Sequence, residues 1–224
     1  MTNLPTNPST LLRPGQRTKL DESDDTLFYD YPRFVTHVDD GFIQQLTALY
    51  RDRLQPQFHI LDMMSSWVSH LPDDVEFDSV IGHGLNEEEL ARNPKFDRYV
   101  VQNLNQSQTL PFGDQQFDAV LNAVSVQYLQ QPEAIFAEIY RVLKPNGISI
   151  ISFSNRMFYQ KAIQAWRDGS ERQRVGLVKK YFQSVKGFTE PEILAKTSSV
   201  PIILQMIGMG GGDPFYAVVA RKGS

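Results

Sequence analysis

The chain contains no cysteine, which excludes disulfides, thiolate nucleophiles and zinc–thiolate sites together. It has only four histidines, His37, His59, His70 and His83, so imidazole chemistry has few places to start. No apolar stretch reaches the roughly 18 residues of a membrane span. The opening MTNLPTNPSTLLRPGQ is polar, carries Pro5, Pro8 and Pro14, and lacks the apolar middle of a secretory signal. A basic excess is missing too. There are 22 Lys and Arg against 26 Asp and Glu, a formal charge of −4, and no Lys/Arg-rich run. Nucleic acid and anionic membrane surfaces both want a basic face, so neither is an expected partner. A cytoplasmic location is the simplest expectation.

What remains is apolar material for one core: 224 residues, 41% hydrophobic and 11% aromatic. Residues 1–24 read as a flexible arm, and 25–224 as a single domain whose first part, 25–57, is a lid segment. That segment mixes Phe28, Tyr29, Tyr31 and Phe34 with Arg33 and His37, then reads as a helix over 40–53, with Phe42, Leu46, Leu49 and Tyr50 at helical spacing. From 58 onward short apolar runs alternate with amphipathic ones. FHILDMM, SVIGHGL, YVVQNL, FDAVLNAVSV and ISIISFS read as strands, and FYAVVAR as a last one. Between them, NEEELARN is a helix capped by Asn86, and PEAIFAEIYRVL a helix opened by Pro132. Trp67 and His70 stand at helical spacing after the first strand, and two further helices are expected around 156–168 and 171–184. This alternation predicts an α/β, Rossmann-like three-layer sandwich on a mostly parallel sheet.

The stretch LPFGDQQFDAVLNAVSVQYLQQPEAIFAEIYRVLKPNGISIISFS (110–154) resembles the class I S-adenosylmethionine (SAM)-dependent methyltransferases, in the branch of quinone-biosynthesis and other small-molecule enzymes. Leu110-Pro111-Phe112, Phe117-Asp118 and Arg141-Val142-Leu143-Lys144-Pro145-Asn146-Gly147 carry the likeness, the family pattern ending Lys-Pro-Gly-Gly. FYDYPRFVTHVDD, SSWVSHLP, NEEELARNP, SFSNR and DPFYAVVARK look like a subgroup of that superfamily from photosynthetic organisms. The resemblance implies a seven-stranded sheet with an antiparallel last strand, SAM as cofactor, and a small-molecule methyl acceptor.

The resemblance also points to cofactor positions, and several depart from the family. Its Gly-x-Gly-x-Gly turn after the first strand becomes Met64, Ser66 and Val68, beside Asp62, Met63, Ser65 and Trp67. Ser65 and Ser66 keep hydroxyls and amides for the SAM carboxylate, with Asp62 toward its amino group; alternatively Met64, Trp67 and Val68 fill the pocket. The ribose-binding acid after the second strand becomes Gly84, next to Leu85 and Asn86, with Asn86 or Glu87 as substitutes or as plain helix-start residues. After the third strand, Asn103, Leu104 and Asn105 stand where an adenine contact is expected. Asn122 and Ala123 end the fourth strand, where ligands of open α/β sheets bind.

Methyl transfer needs orientation and, for an oxygen or nitrogen acceptor, a base. His37 is the first candidate and Tyr128 the second; a packed lid and rim are the alternatives for both. Arg156 could hold an acidic substrate. No metal site is expected. Gly208, Met209, Gly210, Gly211 and Gly212 read as a turn, since no Lys-Ser/Thr follows to make a phosphate loop. The rival to an enzyme is a catalytically inactive binding or scaffold protein on the same fold. A nicotinamide dehydrogenase is more distant, lacking the glycine-rich turn.

Overall fold

Helix α2 (Asp40–Arg53) forms where the spacing placed it. The Asp39 side chain caps it by accepting the Phe42 N–H at 2.8 Å, and Phe42, Leu46, Leu49 and Tyr50 make one buried stripe. In the computed structural model, which describes residues 11–196 and 212–223, this stripe lies on one face of a seven-stranded sheet. Before it comes a single turn, α1 (Asp25–Phe28). The strands are β1 (His59–Asp62), β2 (Ser79–Gly84), β3 (Arg98–Val101), β4 (Phe117–Ala123), β5 (Leu143–Phe153), β6 (Glu192–Lys196) and β7 (Phe215–Arg221).

Their order is β3-β2-β1-β4-β5-β7-β6. The first five pair in parallel, and β7 runs antiparallel to both β5 and β6. The opposite face is covered by α4 (Pro132–Val142) and α6 (Glu171–Gln183), whose Ile135, Phe136, Ile139, Val178 and Phe182 are fully buried. Apolar helices on both faces bury the central strands, as three-layer packing requires. The Rossmann-like expectation is met, antiparallel last strand included.

Asn86 caps α3 (Glu87–Ala91), its Oδ1 accepting the Glu89 N–H at 2.9 Å. Early in β5, where the pairing with β4 shifts register between Leu143 and Ile148, Asn146 holds a left-handed φ of 63° at a position where the resembled pattern has glycine.

Four readings change. The segment 11–24 is not a loose arm: Leu12 and Lys19 are buried, and Arg17 pairs with Glu133 at 2.6 Å. The expected helix at 156–168 is only one turn, α5 (Gln164–Arg167). Residues 156–163 instead fold inward, because the fully buried Lys161 Nζ must reach the Ser23 carbonyl at 2.8 Å and the Asp21 carboxylate at 3.0 Å. Residues 63–78 contain no helix, so Trp67 and His70 share no helical face. This crossover is fastened by side chains: Thr47 Oγ1 donates to the His70 carbonyl at 2.9 Å, and Asn93 Nδ2 to Ser66 O and Ser69 Oγ, both at 2.9 Å. Finally, β6 is a strand that sequence patterning missed, since its EILAK is largely exposed and charged. Residues 1–10 and 208–211, read as arm and turn, lie outside the described residues. No helix among the described residues is long and apolar enough to cross a membrane.

Candidate functional site

Strand order reverses between β1 and β4, and the carboxyl ends of parallel strands open a crevice at such a switch point. A cavity of about 330 Å3 lies there, within the range of small-molecule sites. The turn after β1 forms one wall and does not plug it. Met64 takes a left-handed φ of 55°, the conformation a glycine would hold at that position. The Ser65 N–H donates to the His83 carbonyl at 2.8 Å and the Met64 N–H to His83 Nδ1 at 3.3 Å, folding the turn onto β2. Trp67 turns away: its Nε1–H donates to Val35 O at 3.2 Å and its ring packs edge-on against Phe34. Val68 lines the cavity without closing it.

Close approach accounts for the glycine at position 84, where the resemblance leads one to expect a ribose-binding acid. A Cβ on Gly84 would sit 2.5 Å from the Ser65 carbonyl oxygen and 3.1 Å from Leu90. No side chain fits there while the turn lies on β2. The acid on this side of the cavity is Glu89, from α3. Its Oε2 accepts the Ser66 hydroxyl at 2.7 Å and its Oε1 the Arg33 N–H at 2.6 Å, so it joins the β1 turn to the N-terminal segment.

Asp62 is buried at the end of β1, with Oδ2 accepting the Ser65 hydroxyl at 2.8 Å. Burial pushes its pKa up to about 6, against the pull of the Ser69 and Ser65 hydroxyls. A carboxyl so desolvated favours a cationic partner. His83 is buried as well, and desolvation lowers its pKa to about 4, so it is neutral.

Of the expected cofactor residues, Asp62, Met64, Ser65, Ser66, Gly84, Leu85, Asn86, Asn103, Leu104 and Ala123 all face the cavity. Met63 and Asn122 do not. Both are fully buried in the sheet, and Asn122 Nδ2 donates to Met63 O at 3.2 Å. They hold the ends of β1 and β4 together behind the wall. Asn86 is no solvated cap, since its Nδ2 donates to the Tyr29 and Asp30 carbonyls at 2.8 and 3.1 Å. Asn105 spends its amide on Asp25, Tyr128 O and Gln130 N. Glu87, named as an alternative, lies outside the lining.

His37 and Tyr128 face the cavity from its other end, with Tyr29, Arg33 and Phe158. The His37 ring packs edge-on against Phe158 at 5.2 Å, and desolvation there, with the charge of Arg33, lowers its pKa while Glu89 opposes. The lowering favours the neutral imidazole, the form that can accept a proton. Tyr128 is different. Burial pushes its pKa up to about 12, and its hydroxyl accepts the Phe158 N–H at 2.8 Å. It positions the aromatic wall and is not a base at neutral pH. Arg156 lines the cavity but is paired with Asp213 at 2.7 Å.

Sequence reasoning missed Glu89, Gln102, Ser125 and Phe158 on the lining, and passed over Arg33 as an anion-binding group. Glu89 had a signal: it is the third residue after the Asn86 cap, where an acid points back toward the preceding chain. Phe158 had none, since it depended on a helix that does not form. Among the described residues no cluster of ligating side chains could hold a metal ion.

Comparison with known proteins agrees with this architecture. A methyltransferase-domain family model matches residues 68–151. The biotin biosynthesis bifunctional protein BioHC of Teredinibacter turnerae is 30% identical over 103 residues, 45% of this chain and 18% of that protein. The chain spans less than a fifth of the length of the curated relatives it matches. Among solved structures, a SAM-dependent methyltransferase from Mesorhizobium loti is 17% identical, with 78% of this chain and 96% of that one covered and a TM-score of 0.54. The [4+2]-cyclase SpnF is 16% identical, with 80% and 81% covered and a TM-score of 0.56. Phosphoethanolamine N-methyltransferase 2 of Haemonchus contortus, solved with SAM, is 18% identical, with 81% of this chain and 52% of that one covered and a TM-score of 0.54.

Proposed function

We propose that this chain, which matches a methyltransferase-domain model over residues 68–151 and shares its fold with solved SAM-dependent methyltransferases, is a class I SAM-dependent methyltransferase that moves a methyl group from SAM to a small molecule held against the aromatic N-terminal segment. The observation that carries this reading is the open cavity at the β1–β4 switch point, preserved although every glycine of the family turn is replaced. The SAM complex of the Haemonchus protein and the biotin-biosynthesis name of the BioHC relatives support cofactor and substrate class.

The residues present suit the cofactor. Asp62 is a desolvated carboxyl in want of a cation, matching an α-amino group. Gly84 is a cradle that a Cβ would fill. Among the described residues the buried Ser125 Oγ, on the cavity lining, has no hydrogen-bond partner. Asp62, Ser65 and Ser66 would hold the amino-acid end, and Leu85 and Leu104 would flank the purine. When bound, SAM supplies an electrophilic methyl group on sulfonium sulfur. The protein's own work is to exclude water, orient the acceptor on the wall formed by Tyr128 and Phe158, and take up the acceptor's proton. His37 is the proposed base. Replacing it with Gln should lower the transfer rate about 100-fold at neutral pH without changing SAM affinity. A wild-type rate in that variant would remove His37 from the mechanism.

A second reading, a non-catalytic binding protein, is favoured by two observations. The loop 63–78 offers no helix N-terminus to the cofactor's carboxylate, and Glu89 is spent on the protein's own groups. Calorimetric titration with SAM and S-adenosylhomocysteine, on wild type and Asp62→Asn, tests the two. The enzyme reading expects both ligands to bind wild type and both to weaken at least about tenfold in the variant. Absence of heat with either ligand would leave only the fold.

A further inference from the structure

The acceptor end of the cavity holds one cation that the proposed reaction has not used. Arg33 lines the cavity, and no carboxylate among the described residues lies within salt-bridge distance of its guanidinium. Arg156, the other arginine on the lining, is neutralised by Asp213. The Arg33 guanidinium is also fixed. It lies over the rings of Phe28, Phe158 and Tyr29 at 4.7, 5.5 and 5.8 Å, and Nη2 donates to the Phe28 carbonyl at 2.9 Å. Its own backbone N–H is anchored on Glu89. A guanidinium stacked and tethered in this way has lost most of its side-chain freedom before any ligand arrives, so a charge-assisted hydrogen bond to it costs little ordering.

The surface beside it is aromatic. Phe158 is stacked on Tyr128 at 6.1 Å, with Tyr29 and His37 edge-on at 6.1 and 5.2 Å. Of the polar groups there, the Tyr128 hydroxyl oxygen is occupied by the Phe158 N–H. Fixed positive charge beside a flat apolar wall selects a ligand with an anionic group and a planar body. We infer that Arg33 is an anion subsite and that the acceptor is a small carboxylic acid with an aromatic or conjugated body, its carboxylate on Arg33 and its ring against the aromatic lining of Tyr29, His37 and Phe158. This rests on the methyl-transfer reading for the word acceptor; the anion subsite stands on the geometry alone.

The test compares 4-hydroxybenzoate with 4-hydroxybenzamide, equal in shape and differing in charge, by calorimetry with and without saturating S-adenosylhomocysteine. Wild type should bind the acid at least about tenfold more tightly than the amide, the ratio falling as salt rises. Arg33→Gln should bring the ratio to about one while Arg33→Lys keeps part of it, and neither should alter S-adenosylhomocysteine affinity. Because the wild-type ratio and its salt dependence need no variant, a poorly folded Arg33→Gln does not rescue the idea. Equal binding of acid and amide, failure of the acid to bind at all, or full discrimination retained in a folded Arg33→Gln would each overturn it. Should S-adenosylhomocysteine fail to bind while the acid is still preferred, the methyl-transfer reading falls and the anion subsite survives.

Discussion

Two segments at opposite ends of the sheet hold a left-handed backbone where the family pattern that the sequence resembles has glycine, and they handle the replacement differently. Near the amino-terminal end of β5, Asn146 takes φ 63° in an exposed stretch where the pairing with β4 shifts register, and asparagine adopts that conformation at little cost. At the carboxyl end of β1, Met64 takes φ 55° on the cavity wall, with no short polar side chain to ease it. Two more non-glycine residues on that wall, His70 at 52° and the β-branched Val124 at 49°, share the left-handed region. Strain of this kind, on the order of 1–3 kcal/mol per residue, persists only where the surroundings over-determine it, and it gathers at functional sites. The comparison teaches that the β1 turn has kept a backbone shape while exchanging its side chains. The glycine it gave up reappears across the gap at position 84, where close approach of the Ser65 carbonyl leaves no room for a Cβ.

The largest expected effect comes from reversing that exchange. Gly84→Asp restores the family's acid but drives a Cβ to 2.5 Å from Ser65 O, so it should cost about 3 kcal/mol in denaturant unfolding and abolish SAM binding. Normal stability would mean that the turn is not fastened to β2.

Asp62→Asn comes next and separates stability from binding. The raised pKa of Asp62 means that the folded state binds its proton more tightly than the unfolded chain. Stability from this group is therefore present at low pH and lost as pH rises toward about 6, leaving a penalty above it. The variant should gain about 1 kcal/mol at pH near 8 and lose stability more steeply than wild type on acidification through that window. The buried His83, lowered to about 4, works in the opposite sense. Its contribution is full above the ordinary histidine range and lost as pH falls toward about 4. With Asp62 removed, the His83 slope stands uncovered. Parallel stability–pH curves for the two proteins would contradict the buried, desolvated Asp62.

The smallest effects sharpen the comparison of the two segments. Asn146→Met, on an exposed site where only backbone strain registers, should cost about 1 kcal/mol, and Asn146→Gly should lie within about 0.5 kcal/mol of wild type. Met64→Gly relieves a similar strain but gives up packing against the core, so its net change should stay below about 1 kcal/mol. A loss beyond about 2 kcal/mol would mean that the methionine side chain, rather than the backbone, sustains the turn.

Much of the fold was legible because it is written in apolar periodicity. The strands from β1 to β5 and β7, α2, α4 and the Asn86 cap all carry short-range signals that tertiary packing reinforced. The missing helix after β1 was not legible. Its spacing of Trp67 and His70 mimicked a helical face, while the contacts that hold the segment open come from Thr47 and Asn93, remote in sequence. The cavity wall was read well along the strand ends, where fold position alone decides which residues face the ligand. It was read poorly at Met63 and Asn122, where strand alternation turned the side chains into the sheet. Glu89, Arg33 and Phe158 escaped because their places depend on how the N-terminal segment and residues 156–163 lie across the cavity, which no local pattern encodes.

The central claim is that the β1 turn leaves a usable hollow despite its bulky residues. A crystal structure grown with S-adenosylhomocysteine tests it most directly. The account predicts ligand density between Asp62, Leu85, Leu104 and Ala123, with Met64 still at positive φ and Trp67 still on Val35. Well-ordered crystals showing Met64 or Trp67 folded into that space, and no ligand beside them, would contradict it.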